Sequence, residues 1–307
     1  MSPATAGYVD LQLNGYAGID FNRDGLTAEQ LHHVCRRVEA DGVAAFLPTI
    51  ITDHPAAMCG RLAALARLRE ADPLATRLIP GLHIEGPFLN PAEGYRGAHP
   101  HDAMGPADPE VMRRLLDAGA GLTRIVTLAP ECDPGGRVTR MIADAGVRVS
   151  GGHSDATLDQ LRQGIDAGLS MFTHVGNGCP LQLHRHDNIV QRVLSLAGEL
   201  WLTFIADGAH LPFFVLANYL RLADPGRAIV VSDGIAPAGL GPGRYTLGRR
   251  EVVVDEDMVP RAPDRSHFVG SAVTMRQSAE NLRTGLGLSS EAVQRLTVEN
   301  PRRALRL

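Results

Sequence analysis

Four polar residues stand at the ends of four apolar runs in this sequence. The run GLHIE ends at Glu85, VRVSGGH at His153, SMFTH at His174 and AIVVSD at Asp233. An unpaired charge at the end of a buried strand is unfavourable, because an apolar interior does not solvate it. Convergence of these groups on one metal ion would remove that penalty. The pattern therefore predicts a metal centre assembled from several strand ends.

Glu85, His153 and His174 offer one oxygen and two nitrogen donors, a set that suits a catalytic zinc with its fourth position left for water. Iron, manganese and cobalt accept the same donors, so donor type leaves the metal open. Gln12 and Asn14 stand at the end of the first run, where a binuclear hydrolase has His-x-His, and the chain has no lysine to bridge two metals. We therefore expect one divalent metal, with Gln12 and Asn14 as weak ligands or as hydrogen-bonding groups.

Asp233 is the candidate proton carrier, since a carboxylate beside an activated water can accept its proton and later pass it to a leaving amine. His99 and His210 could donate a hydrogen bond to a substrate oxygen or stabilise a developing oxyanion. Arg185 and the histidines on either side of it form a basic cluster suited to a phosphate group. The alternative for His99, His210 and the Arg185 cluster is an ordinary solvated loop.

Strand-like and helix-like segments alternate along the chain. We predict strands near residues 8–13, 45–51, 78–85, 123–130, 147–152, 170–174, 201–206 and 228–232. The predicted helices lie near residues 27–40, 55–71, 108–118, 135–145, 157–167, 187–197, 212–222, 271–285 and 289–298. Eight apolar strands separated by helices favour a (β/α)8 TIM barrel, whose strand ends point into one pocket. An open doubly wound sheet is the alternative, although no G-x-G-x-x-G follows a strand.

Two segments are too long for simple connections. Residues 86–107 form a loop rich in glycine, proline and histidine after the third strand. Residues 236–267 follow the eighth strand and contain a predicted hairpin around Gly248. Loops after barrel strands surround the active face, so both segments are candidates for shaping a pocket. We expect residues 1–307 to form one barrel domain with the hairpin as an insertion.

Composition excludes several classes of protein. The net charge is −4 and no long run of one sign appears, so no nucleic-acid or membrane partner is expected. No run of about 18 apolar residues and no signal peptide is visible, and four cysteines without C-x-x-C spacing favour free thiols. These features predict a cytoplasmic protein. The absence of lysine excludes a Schiff-base or P-loop lysine.

Taken together, these segments resemble the N-acetylglucosamine-6-phosphate deacetylases of the amidohydrolase superfamily. The matching segments, in family order, are VDLQLNGYAGIDFN, HIEGPFLNP, GAHP, VTLAPE, GGHSDAT, FTHVGNG, IADGAH, SDGIAPAG, VGSAVTM and NPRRAL. They cover nearly the whole chain. The resemblance implies a TIM barrel of the metal-dependent amidohydrolase type. It also implies an enzyme that removes acetate from N-acetylglucosamine 6-phosphate and leaves glucosamine 6-phosphate.

The resemblance implies roles for individual residues. Glu85, His153 and His174 look like the metal ligands. Asp233 looks like the general base and acid, and His99 like the residue beside the acetyl carbonyl. The positions that line the sugar phosphate site in the family correspond to Ala98, Asn177, Gly178, Asp207, Ala209, His210, Val269 and Gly270.

Arg185 falls where the family places an arginine that reaches a neighbouring subunit's phosphate, which implies a homodimer. The chain departs from the family in three places. It has neither of the terminal segments that usually build a small β-sandwich, its sixth strand continues as GNGCP, and its loop QLHRHDN is unusual. The loop changes bear on sugar and phosphate recognition more than on deacetylation. The alternatives are therefore another acetamido sugar or N-acyl amine as substrate, or a barrel without catalysis that serves as a scaffold.

Overall fold

Eight parallel strands form the centre of the fold in the computed structural model, which describes residues 7–307. The strands are β1 (Tyr8–Leu13), β2 (Val43–Ile51), β3 (Leu82–Glu85), β4 (Thr123–Leu128), β5 (Arg148–Gly151), β6 (Leu169–Phe172), β7 (Trp201–Ile205) and β8 (Ala228–Val231). They are hydrogen-bonded in chain order, and Leu13 bridges Gly234 where the last strand meets the first. The predicted barrel is therefore confirmed, and the open sheet is excluded. Two expectations also involve residues 1–6: a domain that begins at residue 1 and an N-terminus without a signal peptide. These six residues lie outside the part of the chain that the structure describes.

Helices cover the outside of the barrel. They are α1 (Ala28–Ala40), α2 (Pro55–Ala71), α3 (Pro73–Leu78), α4 (Pro109–Ala118), α5 (Arg137–Asp144), α6 (Leu158–Ala167), α7 (Ile189–Leu194), α8 (Phe213–Leu222), α9 (Met275–Thr284), α10 (Ser290–Gln294) and α11 (Asn300–Leu305). A capping box of Thr27 and Gln30 lies at the start of α1. Asp108 and Thr157 cap α4 and α6 with their side chains. Each cap satisfies backbone N–H groups that have no partner inside the helix.

The predicted third strand begins too early. We expect a strand from residue 78, but the chain there is still helical, because Asp72 caps the short helix α3 and accepts a hydrogen bond from Leu74 N–H. Proline at the first position of α3 also favours a helix start. The strand itself, β3, has only four residues. Its end at Glu85 is where the sequence predicts it.

The amino-terminal half of the barrel interior is apolar. Side chains alternate between the two faces of a strand. Those that face into the barrel form a buried apolar cluster, which is separate from the apolar layer between the strands and the helices. Its members in the strands are Val9, Leu11, Ala45, Leu47, Ile125, Met171, Trp201, Ile205, Ile229 and Val231, and Ala304 joins them from α11. Ile205 and Val231 are the last residues of β7 and β8, and the others lie nearer the amino-terminal half. This packed interior supports the carboxyl ends of the strands from below.

A small antiparallel sheet follows β8. Strand β9 (Gly243–Leu247) pairs with β10 (Arg250–Val254), and β10 pairs with β11 (Pro260–Arg261). The apolar side chains of this sheet pack against Ile51 and Ile235, which lie at the carboxyl ends of β2 and β8. The sheet therefore lies beside the end of the barrel at which the candidate site residues stand.

Within residues 7–307, no helix is long and apolar enough to cross a membrane. The four cysteines, all within this range, are free thiols: Cys35, Cys59, Cys132 and Cys179.

Candidate metal centre and active site

The carboxylate of Glu85, at the end of β3, is the centre of a buried cluster. His174 Nε2 lies 3.1 Å and His153 Nε2 lies 3.5 Å from Glu85 Oε1. The two imidazole rings have their centroids 4.9 Å apart, and all three side chains are buried. The structure thus brings together the three residues that the sequence singles out as metal ligands.

His99 joins this cluster from the long loop after β3. Its Nε2 is 3.8 Å from Glu85 Oε2, and its ring centroid is 4.4 Å from that of His153. One ligand atom from each of Glu85, His99 and His153 lies within 4.8 Å of the others. The position that we predict to face a substrate carbonyl is therefore also close enough to offer a further nitrogen donor.

The ring of His153 is fixed on three sides. Its Nδ1 donates a hydrogen bond to the carbonyl oxygen of Tyr95 at 2.7 Å, which directs Nε2 toward Glu85. A β-carbon added at Gly97 would lie 3.1 Å from this ring, and one added at Gly178 would lie 3.0 Å from it. The two glycines therefore let the backbone pack closely against a candidate ligand.

A layer of threonines lies between the apolar half of the barrel and the cluster. Thr49, Thr127, Thr173 and Thr203 each stand two positions after an inward-facing apolar residue, so they also face inward. All four are buried. Thr203 Oγ1 accepts a hydrogen bond from His174 N–H at 2.8 Å. Sequence reasoning does not find this layer, because threonine is common in strands for other reasons.

Gln12 and Asn14 hold the two carboxylates of the site. Gln12 Nε2 donates to Glu85 Oε1 at 3.1 Å, and Thr173 Oγ1 donates to Gln12 Oε1 at 2.6 Å. Asn14 Nδ2 donates to Asp233 Oδ1 at 2.7 Å. Both amides therefore act as hydrogen-bonding groups behind the carboxylates, which is one of the two roles expected for them.

Asp233 follows β8, where Ser232 ties that strand to β1. Ser232 N–H donates to Asp10 Oδ1 at 3.1 Å, and Ser232 Oγ donates to Asp10 Oδ2. Gly234 N–H donates to Ser232 Oγ at 2.9 Å, which closes the turn around Asp233. Burial and the negative charge of Glu85 raise the pKa of Asp233 to about 6. A carboxyl with this pKa can exchange a proton near neutral pH.

Three site residues have a left-handed backbone. The φ angles are 50° at His153, 27° at His174 and 49° at Asp233. For a residue with a β-carbon this conformation costs about 1–3 kcal/mol and persists only where the surroundings enforce it. Such conformations concentrate at functional sites, so their occurrence at three of the predicted strand ends supports a common site.

The electrostatics of the cluster suit a divalent cation. Burial alone would raise the pKa of Glu85, but its bonds to His153 and His174 hold that pKa well below the ordinary value. Burial and the charge of His153 lower the pKa of His99 to about 3. Burial would lower the pKa of His174, but the bond to Glu85 raises it, and a bound cation would reverse that preference. An anionic carboxylate and neutral imidazoles are the forms that bind metals.

Unpartnered polar atoms also point to a bound group. Nδ1 of His99, Nδ1 of His174 and Nδ2 of Asn177 are buried without a hydrogen-bond partner in residues 7–307. Buried polar atoms are normally paired. The Glu and His donors together with these free atoms fit a site that holds a metal and a polar ligand.

Several residues expected at a sugar site lie around His210. Its Nδ1 is 2.6 Å from Asp207 Oδ2, and Asp207 Oδ1 accepts the N–H groups of Ala209 and His210. The carboxylate therefore fixes the orientation of this imidazole. The ring of Phe268 meets that of His210 with centroids 5.3 Å apart. Phe268 is a neighbour that sequence reasoning misses.

Ala98, Val269 and Gly270 lie on the side of the small sheet. Ala98 and Val269 belong to the apolar cluster between that sheet and the barrel end. Gly270, at φ 57°, packs so closely that an added β-carbon would lie 2.4 Å from the side chain of Ile235. These residues therefore lie between the small sheet and the carboxyl end of the barrel.

Arg185 does not join the site in this chain. It lies exposed in the loop after β6, where Leu181 is also fully exposed. His184 Nδ1 accepts a hydrogen bond from Asp187 N–H and shapes the loop locally. Within the described residues, Arg185 makes no hydrogen bond or ion pair with the cluster.

Glu131, just after β4, connects two loops of the site. Its Oε2 accepts a hydrogen bond from Ser154 Oγ at 2.6 Å, and its Oε1 accepts bonds from Asp155 N–H at 2.6 Å and Asn90 Nδ2 at 2.9 Å. The carboxylate thereby joins the turn that carries His153 to the loop after β3. Its place in the segment VTLAPE is the only sequence signal for it.

Known proteins are similar in sequence to this chain over most of its length. No protein-family model matches the chain. Human N-acetylglucosamine-6-phosphate deacetylase is 34% identical over 256 residues, which cover 81% of this chain and 61% of the human protein. An N-acetylgalactosamine-6-phosphate deacetylase of Escherichia coli O157:H7 is 28% identical over 299 residues, which cover 97% of this chain and 77% of that protein. The chain thus spans about three fifths of the length of its human relative.

A solved structure shares the fold. It is an aspartate-to-alanine mutant of N-acetyl-D-glucosamine-6-phosphate deacetylase from Mycobacterium smegmatis in complex with N-acetyl-D-glucosamine-6-phosphate. It matches with a TM-score of 0.89 and 29% identity, over 99% of this chain and 78% of that one. The two proteins therefore share one fold over nearly the whole of this chain.

Proposed function

Because the chain belongs to the N-acetylglucosamine-6-phosphate deacetylase family, we propose that it is a metal-dependent hydrolase that removes acetate from an N-acetylated amino sugar. The proposed substrate is N-acetylglucosamine 6-phosphate, and the proposed product is glucosamine 6-phosphate. The observation that carries the proposal is the convergence of Glu85, His153 and His174 at one end of the barrel. Asp233 is near enough for its pKa to respond to Glu85 and His174.

We propose that Glu85, His153 and His174 hold one divalent metal, and that this metal is zinc. When bound, such an ion polarises an amide carbonyl and lowers the pKa of a coordinated water to about 7. Gln12 would keep the carboxylate of Glu85 oriented through its hydrogen bond, and Tyr95 would keep the ring of His153 oriented through its carbonyl. Such partners of metal ligands commonly tune the affinity of a site.

Asp233 is the proposed general base and acid. In its ionised form it takes a proton from the attacking water, and in its protonated form it returns that proton to the amine nitrogen as the C–N bond breaks. In the metal-free protein, burial and the charge of Glu85 raise the pKa of Asp233 to about 6, and a bound cation would favour its ionised form, the base that the first proton transfer needs. The hydrogen bond from Asn14 to Asp233 Oδ1 leaves Oδ2 for the proton.

His99 is the proposed hydrogen-bond donor to the carbonyl oxygen of the acetyl group. Burial and the charge of His153 lower the pKa of His99 to about 3, so its ring is neutral and carries one N–H. A neutral donor fixed in a buried site stabilises the negative charge that develops on that oxygen. The same site keeps water from competing for this bond.

The sugar is proposed to lie against the residues that the family uses for this purpose, with His210 oriented by Asp207. They are Ala98, Asn177, Gly178, Asp207, Ala209, His210, Val269 and Gly270. We further propose a homodimer in which Arg185 reaches a phosphate in the neighbouring subunit, which its exposed loop permits. A cytoplasmic location is proposed from the free cysteines.

Acetate release tests the proposed function. The zinc-loaded protein should release acetate from N-acetylglucosamine 6-phosphate, and Asp233→Asn should lower kcat by about 10²–10⁴-fold. Asparagine keeps an oxygen for the bond from Asn14, so the variant should fold and bind metal like the wild type. If Asp233→Asn turns over within threefold of the wild type, the proton-transfer role of Asp233 is wrong.

A second candidate substrate is another acetamido sugar. It is favoured by the Escherichia coli relative, which is an N-acetylgalactosamine-6-phosphate deacetylase. Comparing kcat/KM for the two N-acetylhexosamine 6-phosphates separates the candidates. A preference of tenfold or more for the galacto sugar would replace the first proposal.

A further inference from the structure

Arg192 contacts two loops of the barrel that are far apart in the sequence. It lies in the last turn of α7, and only 14% of its side chain is exposed. Its neighbours Val193 and Leu194 are buried in the apolar layer between the strands and the helices. The backbone that carries the guanidinium group is therefore firmly anchored.

The first loop that Arg192 binds is the turn after β5, which carries His153. Nη1 of Arg192 donates to Asp155 Oδ1 at 3.1 Å, to the Asp155 carbonyl at 3.4 Å and to the Ala156 carbonyl at 3.1 Å. Glu131 accepts the N–H of Asp155 and so holds the same turn through its donors. Asp155 is only two residues after His153, whose left-handed backbone, at φ 50°, persists only where the surroundings enforce it.

The second loop is the one after β6, which carries Arg185. Nε of Arg192 donates to Asp187 Oδ1 at 2.6 Å, and Nη2 donates to the Asp187 carbonyl at 3.4 Å. One planar guanidinium group therefore binds both loops at once. A lysine ammonium is a single point charge and cannot reproduce this fork of donors.

An exposed ion pair nearby lacks these features. Arg162 lies on α6, which follows the same turn, and its ion pair is with Asp159 at 4.0 Å, where both side chains are exposed. Pairs of this kind contribute little, because water screens them and long side chains lose entropy. Arg192 is shielded from water and binds two backbone segments, so its removal would release the tie between the two loops.

We propose that Arg192 is a positioning residue for His153: it fixes the turn that directs this imidazole toward Glu85, and it ties that turn to the loop after β6. In this arrangement His153 Nε2 lies 3.5 Å from Glu85 Oε1. Groups that orient a metal-binding histidine affect the affinity of the site. The inference rests on the proposed metal centre for what His153 holds, but it requires no particular sugar.

Zinc affinity tests the proposal without turnover. In competition with a chelator, Arg192→Gln should bind zinc about 10-fold more weakly than the wild type, and Arg192→Lys should lose less, because its ammonium can still bind one of the two loops. Arg162→Gln is the matched control and should keep the wild-type affinity. Equal affinities in all four proteins overturn the proposal. An equal loss in Leu47→Ala, a core variant, also overturns it, because Arg192 would then act through stability alone.

The absorption spectrum of the cobalt(II)-loaded proteins reports the geometry of the ligands, which a purely stabilising residue would not alter. The visible bands of Arg192→Gln should differ in position or intensity from those of the wild type, and the bands of Arg162→Gln should coincide with the wild-type bands. Identical spectra in all three proteins overturn the role of Arg192 toward His153.

Hydrogen exchange tests the tie between the loops in the metal-free proteins. Backbone amides of residues 155–157 and 184–188 should exchange about tenfold faster in Arg192→Gln than in Arg162→Gln. Unchanged exchange in both segments overturns the tie. If the wild type binds no zinc, the metal centre fails together with this role of Arg192. If it binds zinc but releases acetate from no sugar, only the proposed reaction fails.

Discussion

The two halves of the barrel interior contrast sharply. The amino-terminal half is filled by apolar side chains such as Leu47 and Met171. The carboxyl-terminal half carries a threonine layer and, above it, the Glu85 cluster. The lower half needs no partner groups, whereas the polar groups of the upper half are held by hydrogen bonds from other strands and loops. Residues that stabilise the fold and residues that could do chemistry therefore lie at opposite ends of the strands.

The contrast also explains how buried charge is tolerated. A closed ring of parallel strands places inward-facing side chains in layers, so Thr173 lies where it can hold Gln12, and Gln12 where it can hold Glu85. Replacing a residue of the upper half should therefore change chemistry first. Replacing one of the lower half should change stability alone.

The largest effect is expected at Glu85. Glu85→Gln keeps the shape and an oxygen for the bond from Gln12, but it removes the negative charge that attracts a divalent cation. Acetate release from N-acetylglucosamine 6-phosphate should fall by more than about 10³-fold, because water activation depends on the metal. An assay with excess zinc checks this. Retention of a tenth of the wild-type rate would contradict the assignment of Glu85.

The second-largest effect distinguishes the roles of two side-chain amides, those of Gln12 and Asn14. Gln12→Leu should weaken metal affinity by about 10–100-fold, since Gln12 orients Glu85, a proposed metal ligand. Asn14→Leu should leave metal affinity near the wild-type value and lower kcat, because Asn14 binds Asp233 instead. Competition with a chelator measures the affinity, and acetate release measures kcat. Equal losses of affinity in both variants would show that the two amides are not separate supports.

Stability should respond differently in the two halves. Leu47→Ala, in the apolar half, should lower the free energy of unfolding by about 2–5 kcal/mol through the cavity that it leaves. Thr203→Val, in the threonine layer, should lower it by about 1–3 kcal/mol, because His174 N–H loses its buried acceptor. Denaturant unfolding measures both. Folded Leu47→Ala should keep the metal affinity of the wild type, and a tenfold loss of that affinity would contradict the separation of the two halves.

The smallest effect is a pH dependence near the small sheet. Burial raises the pKa of Asp20 from 3.8 to about 6, against the hydrogen bonds that it accepts from Asn22 and Gly248. The folded state therefore holds this proton more tightly than the unfolded state. The resulting stabilisation is complete below pH 3.8 and is lost as the pH rises through 6. Between pH 5 and about 7.5 the wild type should lose about 1 kcal/mol relative to Asp20→Asn.

Thermal unfolding of the wild type and Asp20→Asn at both pH values checks this expectation. The difference in stability between the two proteins should shift in favour of the variant as the pH rises. A difference that does not change with pH would show that Asp20 titrates alike in the folded and unfolded chain.

The strand-end residues could be predicted from the sequence for a physical reason. In a parallel barrel all strands end on one face, so polar residues that close separate apolar runs must meet there. Glu85, His153 and His174 meet in this way. The helix caps at Thr27 and Thr157 also follow a local rule, because a capping box joins residues three positions apart.

The rest depends on contacts that no local pattern encodes. The support of His153 by the carbonyl of Tyr95 is independent of the tyrosine side chain. The binding of two loops by Arg192 follows from how α7 packs beside segments that are distant in the sequence. The start of β3 was predicted too early, because the apolar run before it continues the helix that Asp72 caps.

Metal content per chain shows whether Glu85, His153 and His174 hold one divalent ion. The wild type, Asp233→Asn and Glu85→Gln would be purified without chelator, dialysed in the same buffer and analysed for bound metal. We expect one divalent ion per chain in the wild type and in Asp233→Asn, and almost none in Glu85→Gln. Equal metal content in all three proteins, or none in the wild type after incubation with zinc, would contradict it.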